Sequence, residues 1–193
     1  MPRASALHNQ SEPESWNSYL HKSQLRNLLR RRRHTVTMAS TTELKVRRRQ
    51  DYHYHLDYRT RWSDNDMYDH MNKSVYGFLV DSVIYAYLIE HCNFHPPTSE
   101  MYGLAVHADT DFFSSIAYPA VAELGLRVNK LGKSSVTYEV AIFELGVEEV
   151  KVVGQCVHVF VERSTGRPSK SGMSPVLRQG LEKLYVRPNT SKL

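Results

Sequence analysis

From residue 53 the chain alternates. Tyr54, Leu56, Tyr58, Thr60 and Trp62 occupy every second position, with His53, His55, Asp57, Arg59 and Arg61 between them. A period of two predicts a strand with one face inward. From Ser74 to about Glu90 the period lengthens: Tyr76, Leu79, Val80, Val83, Ile84, Tyr87 and Leu88 share one helical stripe, while Val75, Phe78 and Ile89 lie off it. A helix apolar beyond one face is one surrounded by other structure. Asn72 or Ser74 suits its N-cap, and Asn93 to Ser99, with Pro96-Pro97, ends it in a loop.

Four strand-like runs follow: Leu104 to Phe113, Val121 to Lys130, Ser134 to Glu144 and Val150 to Glu162. In the last three, Leu124, Leu126 and Val128, then Val136, Tyr138, Val140 and Ile142, then Val153, Val157, Val159 and Val161 each define one face. Leu131-Gly132-Lys133 and Gly146-Val147-Glu148 stand where short connections are needed. Hairpin-linked strands form antiparallel sheets. Ser174-Pro175 then opens a short amphipathic helix bearing Leu177, Leu181 and Leu184. The order is strand, long helix, four strands, short helix: an α+β domain with an antiparallel sheet wrapped around a long central helix. One sheet covers such a helix on one side only, so a homodimer is expected.

Length suggests one domain with an extension. The overall charge of +5 divides unevenly: residues 1–50 carry +8 and residues 51–193 carry −3. The basicity belongs to the extension, and the body does not have the charge of a nucleic-acid-binding surface. Residues 1–50 are rich in Ser, Asn, Gln and Arg and read as a basic, poorly ordered extension, followed by the domain at 51–186 and a tail at 187–193. Within the extension, Trp16 to His34 could form a basic helix ending in the run Arg30 to Arg33. Three readings of residues 1–37 stay open: a mitochondrial presequence, a basic interaction arm, or a segment upstream of a natural start at Met38. No apolar run reaches the roughly 18 residues of a membrane span, and no secretory h-region is present. Cys92 and Cys156 stand alone, without metal-ligand spacing. A reduced compartment follows: cytoplasm, or mitochondrial matrix if residues 1–37 are a presequence.

The chemistry concentrates between the first strand and the helix, in Arg61-Trp62-Ser63-Asp64-Asn65-Asp66-Met67-Tyr68-Asp69-His70-Met71-Asn72-Lys73. A helix N-terminus offers partly positive amide N–H groups, and a carboxylate beside it can act as base or nucleophile. From the residues alone Asp66 fits a turn or capping aspartate as well as a catalytic one. The segment resembles the signature of the 4-hydroxybenzoyl-CoA thioesterase family, which has the hotdog fold. The pattern is roughly D-x-D-x-x-G-H-[VM]-N-N-x-x-Y-x-x-x-x-E, and Asp64, Asp66, His70, Met71, Asn72 and Tyr76 match it. The chain departs at Asp69, where Gly is usual, at Lys73, where a second Asn is common, and at Asp81, where Glu is common. The resemblance spans about residues 51–186.

The resemblance implies hydrolysis of an acyl-CoA thioester to free acid and CoA, with Asp66 as nucleophile or general base. Backbone amides near Asn72 and Lys73 would form the oxyanion hole, and His70 would orient Asp66 or bond within the loop. Tyr76 and Asp81 would face substrate. Lys133, Ser134 and Ser135 form a basic and hydroxyl cluster that could meet CoA phosphates, or be a solvated hairpin. Dimers or tetramers are usual in the family, and no metal or redox cofactor is needed. His107, Asp109 and Asp111 alternate on one strand and could hold a metal, but solvent or an interface suits them better. The absence of a G-x-S-x-G elbow argues against a serine α/β-hydrolase. A second reading keeps the fold without catalysis, as an acyl-thioester-binding or scaffold protein. A dehydratase is weakened by the lack of a hydratase-type His motif.

Overall fold

The computed structural model describes residues 39–187. The readings made for residues 1–37, including the basic helix and the Arg30 to Arg33 run, lie outside the described residues, as does nearly all of the C-terminal tail. The elements are α1 (Thr41–Lys45), β1 (Tyr54–Arg59), α2 (Lys73–His91), β2 (Met101–Phe112), β3 (Val121–Leu131), β4 (Ser135–Glu144), β5 (Val152–Glu162) and α3 (Pro175–Glu182). Short 3-10 turns cover Arg49–Asp51 and Trp62–Asp64.

The five strands form one antiparallel sheet in the order β1-β3-β4-β5-β2. β3–β4 and β4–β5 are hairpin neighbours, whereas β2 crosses to the far edge and pairs with β5. Alternation then sorts the side chains by face. Val136, Tyr138, Val140 and Ile142 of β4, with Leu124, Leu126 and Val128 of β3, join the core beneath α2. The α2 residues buried there are Tyr76, Leu79, Val80, Val83, Ile84, Tyr87 and Leu88, the stripe expected from the spacing. Burying a side chain of this size is worth roughly 1.5–3 kcal/mol. α3, capped by Ser174, closes the end of this layer with Leu177 and Leu181.

The opposite face of the sheet is also covered, in part by residues that the composition placed in a poorly ordered extension. Leu44 of α1 and Tyr52 pack with Ala141, Phe143, Val150 and Val153 in a second apolar cluster. Gly125 is required there, because a Cβ would come within 2.8 Å of the Tyr52 ring. The basic residues are used as ties. Arg47 pairs with Glu139 at 2.8 Å and Arg49 with Glu123 at 2.6 Å. Glu139 is fully buried and also accepts from Arg127, Asn129 and the Tyr52 hydroxyl. Burial works against its charge, but the hydrogen bond from Arg47, the charge of Arg127 and the bond from Asn129 outweigh it and hold the carboxyl below its ordinary value. Residues 41–52 therefore form a strap across the outer face.

Other boundaries differ in detail. Trp62, expected to face inward on β1, lies in the 3-10 turn and is exposed, because the strand ends at Arg59. β2 starts three residues before the expected Leu104, its first pair being Met101 with Glu162. Phe78 and Ile89, off the helical stripe, are exposed, so one side of α2 is uncovered in a single chain. Cys92 and Cys156 are both buried free thiols, each pushed up to about 11 by burial. Among the described residues no helix is long and apolar enough to cross a membrane.

Candidate active site

The loop from Thr60 to Asn72 is pinned before it reaches α2. Thr60 donates its amide to the Ala120 carbonyl, and its hydroxyl both donates to that carbonyl and accepts from the Ala120 amide. Asp64 is 1 % exposed and accepts from the Tyr58 hydroxyl, the Arg61 amide and the Arg61 guanidinium. Burial opposes its ionisation, yet the bonds from Arg61 and Tyr58 prevail and keep its carboxyl below the usual range. Asp64 is thus a structural anchor. The Asn65 side chain accepts from the Tyr118 amide, and Met71 N–H donates to the Ile116 carbonyl, tying the loop to the segment before β3.

Asp66 sits in the turn that this frame holds. Its Oδ1 accepts from the amides of Tyr68 at 2.8 Å and His70 at 3.2 Å, and its own N–H donates to the His70 carbonyl at 2.8 Å. Oδ2 has no partner among the described residues. The carboxylate is therefore aimed by two backbone donors while one oxygen stays available. Asp69 occupies the left-handed region with φ of 58°. Aspartate is among the few residues that tolerate it, so the turn survives without the usual glycine. His70 acts on Asp66 through its backbone; its exposed imidazole has no hydrogen-bond partner among the described residues.

Asn72 caps α2: its Oδ1 accepts from the Ser74 amide at 3.0 Å and the Ser74 hydroxyl at 2.9 Å. Its carbonyl takes the Val75 amide. The Lys73 amide, first of the helix, has no acceptor among the described residues. Such an amide adds to the partial positive charge of the helix end. The Lys73 side chain is exposed and has no ion pair among the described residues. The carboxylate turn and the free amide thus lie on the same loop-to-helix segment, the turn preceding the N-cap Asn72 and the amide following it.

The other expected residues lie farther off. Tyr76 is 3 % exposed; its hydroxyl accepts from the Ile116 amide and its ring meets Phe112 edge-on at 5.4 Å, so it braces the loop from the core. Asp81 is exposed on the uncovered side of α2, about 12 Å along the helix from Lys73. Lys133, Ser134 and Ser135 turn the β3–β4 hairpin at the opposite end of the sheet from Asp66, where Met173 N–H donates to the Lys133 carbonyl and Phe160 N–H to that of Ser134. They cannot join Asp66 within one chain. His107 and Asp109 approach to 3.8 Å at the exposed β2 edge. A cleft of about 410 Å³ lies between the loop and β3, lined by Arg59, Tyr118, Glu144 and Leu145 among others, and does not include Asp66. Sequence reasoning missed two anchors, Asn65 and Ile116, which act through loop hydrogen bonds that leave no periodic signal. It also missed that Cys156 and His158 of β5 come together with Asp81 across the helix–sheet interface.

A five-stranded antiparallel sheet packed on one long helix, with a carboxylate turn at that helix's N-terminus, defines a hotdog α+β domain. The model of the thioesterase superfamily matches residues 68–151. The PA5185 protein of Pseudomonas aeruginosa is 40% identical, with 72% of this chain and 95% of that one covered and a TM-score of 0.68. The chain therefore belongs to the thioesterase superfamily. More distant structures share the fold. They include Slr0204, a 1,4-dihydroxy-2-naphthoyl-CoA thioesterase from Synechocystis (11% identity, 68% and 96% covered, TM-score 0.61), and the DHNA-CoA thioesterase from Staphylococcus aureus (15%, 60% and 78%, 0.54). No curated protein matches the chain.

Proposed function

We propose that this protein hydrolyses the thioester of an acyl-CoA, as the 4-hydroxybenzoyl-CoA thioesterase-like members of its superfamily do, with Asp66 as the working carboxylate. The observation that carries this reading is a carboxylate aimed by two backbone donors in the turn before α2, whose first amide, that of Lys73, has no acceptor among the described residues. The thioester carbonyl oxygen accepts from the Lys73 N–H, which gains strength as charge develops on it. Asp66 then either takes a proton from a water that attacks the carbonyl carbon, or attacks that carbon itself to give an anhydride that water opens. In both routes the C–S bond breaks and the sulfur leaves as a thiolate that is then protonated. The leaving thiol has a pKa of about 8.5, so no strong acid or metal is called for.

A second copy completes the site in this reading. β2 is an edge strand of twelve residues with Leu104, Val106 and Phe112 exposed, an edge that asks for a partner. Antiparallel pairing of two β2 strands brings the partner's Met101 end beside this chain's Phe112 end. The partner's β3–β4 hairpin then stands at the same end as Asp66, and Lys133, Ser134 and Ser135 can receive CoA phosphates from across the interface. The site is thus shared by the two chains of a homodimer.

Thiol release from short, long and aromatic acyl-CoAs tests the reading, with Asp66→Asn alongside. Activity in the wild type that falls by about 10²–10⁴-fold in the variant supports it. Full activity in Asp66→Asn removes Asp66 from the mechanism. Binding of acyl-CoA with no turnover by either protein would make this a binding module.

A further inference from the structure

Cys156 and His158 stand two positions apart on β5, so both side chains point to the face that α2 covers. Asp81 overhangs them from α2. A carboxylate oxygen of Asp81, the Sγ of Cys156 and a ring nitrogen of His158 all lie within 4.8 Å of one another. Two polar atoms in this layer are stranded: the Nδ1 of His158 and the hydroxyl of Tyr138 are buried without a hydrogen-bond partner. The rings concerned are in edge contact at 5.3 Å. Buried polar groups nearly always find a protein partner, an ordered water or an ion. The nearest wall is small. β2 presents Ala105 opposite His158 and Ala108 opposite Cys156, and a Cβ on Gly103 would come within 3.0 Å of the His158 Nδ1. The imidazole thus fits only because residue 103 lacks a side chain.

We propose that Asp81, Cys156 and His158 bind a divalent transition-metal ion, Zn²⁺ being the ion whose ligand chemistry they match. Sulfur excludes calcium and magnesium, which take oxygen. Thiolate, imidazole and carboxylate are all zinc ligands, and three protein ligands leave a fourth position for water. Bonds of about 2.0–2.3 Å in a tetrahedron set donor atoms about 3.3–3.7 Å apart. The side chains therefore close in by about 1 Å, and Asp81, which has no ion pair among the described residues, is free to supply most of it. On coordination the Cys156 thiol proton passes to water. The two fixed ligands are buried and the third is exposed, so the ion enters from the uncovered side of α2. Exposed pairs elsewhere, His107 with Asp109 and His91 with Glu90, offer two ligands each and no sulfur.

Titration of the full-length, metal-free protein with Co²⁺, followed by displacement with Zn²⁺, tests the site by absorption rather than by turnover. The expected result is one equivalent of Co²⁺ per chain, with tetrahedral ligand-field bands and a sulfur-to-cobalt charge-transfer band, all lost on adding one equivalent of Zn²⁺. Cys156→Ser should abolish the charge-transfer band, Asp81→Asn should weaken Zn²⁺ binding by about 100-fold or more, and His107→Ala should change neither. Asp81 is exposed, so its variant folds and decides the matter even if the β5 variants do not. A wild type without the charge-transfer band, a band that persists in Cys156→Ser, or unchanged affinity in Asp81→Asn would overturn the proposal.

Discussion

At the scale of single residues the site separates side-chain chemistry from backbone chemistry. In the proposed reaction Asp66 works through its carboxylate, whereas at position 73 the structure offers an amide and leaves the lysine side chain in solvent. Two substitutions divide these roles. Lys73→Ala keeps the N–H and should leave kcat within a few-fold of the wild type. Lys73→Pro removes the N–H as well, so the difference between the two variants reports the amide. Proline is favoured at the first helical position, and Asn72 at ψ of 136° already has the conformation that precedes it, so α2 should persist. Loss of one oxyanion donor should lower kcat by about 10²–10³-fold, read by thiol release, with helicity checked by circular dichroism. Equal activity of the two variants would place the oxyanion elsewhere. Asp69 shows why a pattern departure need not alter a turn. The conformation, not the glycine, is what the loop requires, and an aspartate can reach it.

At the scale of elements the strap of residues 41–52 is the least expected part. Glu139→Ala removes the acceptor shared by Arg47, Arg127, Asn129 and Tyr52 and leaves the buried Arg127 without its counter-charge. Breaking such a pair typically costs about 3–5 kcal/mol, to be read as a fall in ΔG of unfolding in urea. The pH dependence has a definite sign. The folded-state pKa of Glu139 is depressed, so its contribution is complete above the ordinary glutamate value of about 4.3 and is lost as pH falls through the lower folded value. Wild type should therefore lose stability below about pH 4 more steeply than Glu139→Ala. α2 and the cores of β3 and β4 were legible because burial imposes a period on them; on β5 the valine-rich face stood out, but Val152, Cys156 and Phe160 of the alternate face are the ones that meet α2. The strap was not legible, since Leu44 and Tyr52 are isolated among Lys and Arg and its ties reach Glu139 and Glu123, 92 and 74 positions away. Position along the chain told that Asp66 lies in the turn before α2 and Lys73 at its first residue. It did not tell that Lys133 to Ser135 lie at the other end of the sheet, or that Asp81 overhangs His158, because strand order is a long-range property.

At the scale of the whole molecule the proposed dimer makes the two active sites depend on one edge. Leu104→Glu with Val106→Glu replaces two exposed apolar residues of β2 by charges in both copies, on the edge where the two strands would pair. Light scattering should then give the monomer mass, and acyl-CoA hydrolysis should fall with it because the hairpin of the second chain is withdrawn. Retention of the dimer mass would move the interface off β2. The strap also governs how the chain can be handled. Ala39 packs in the cluster on the sheet face turned away from α2. A protease that cuts beyond Leu44 would therefore take part of the outer wall with it and bare the apolar face of Ala141, Phe143 and Val153.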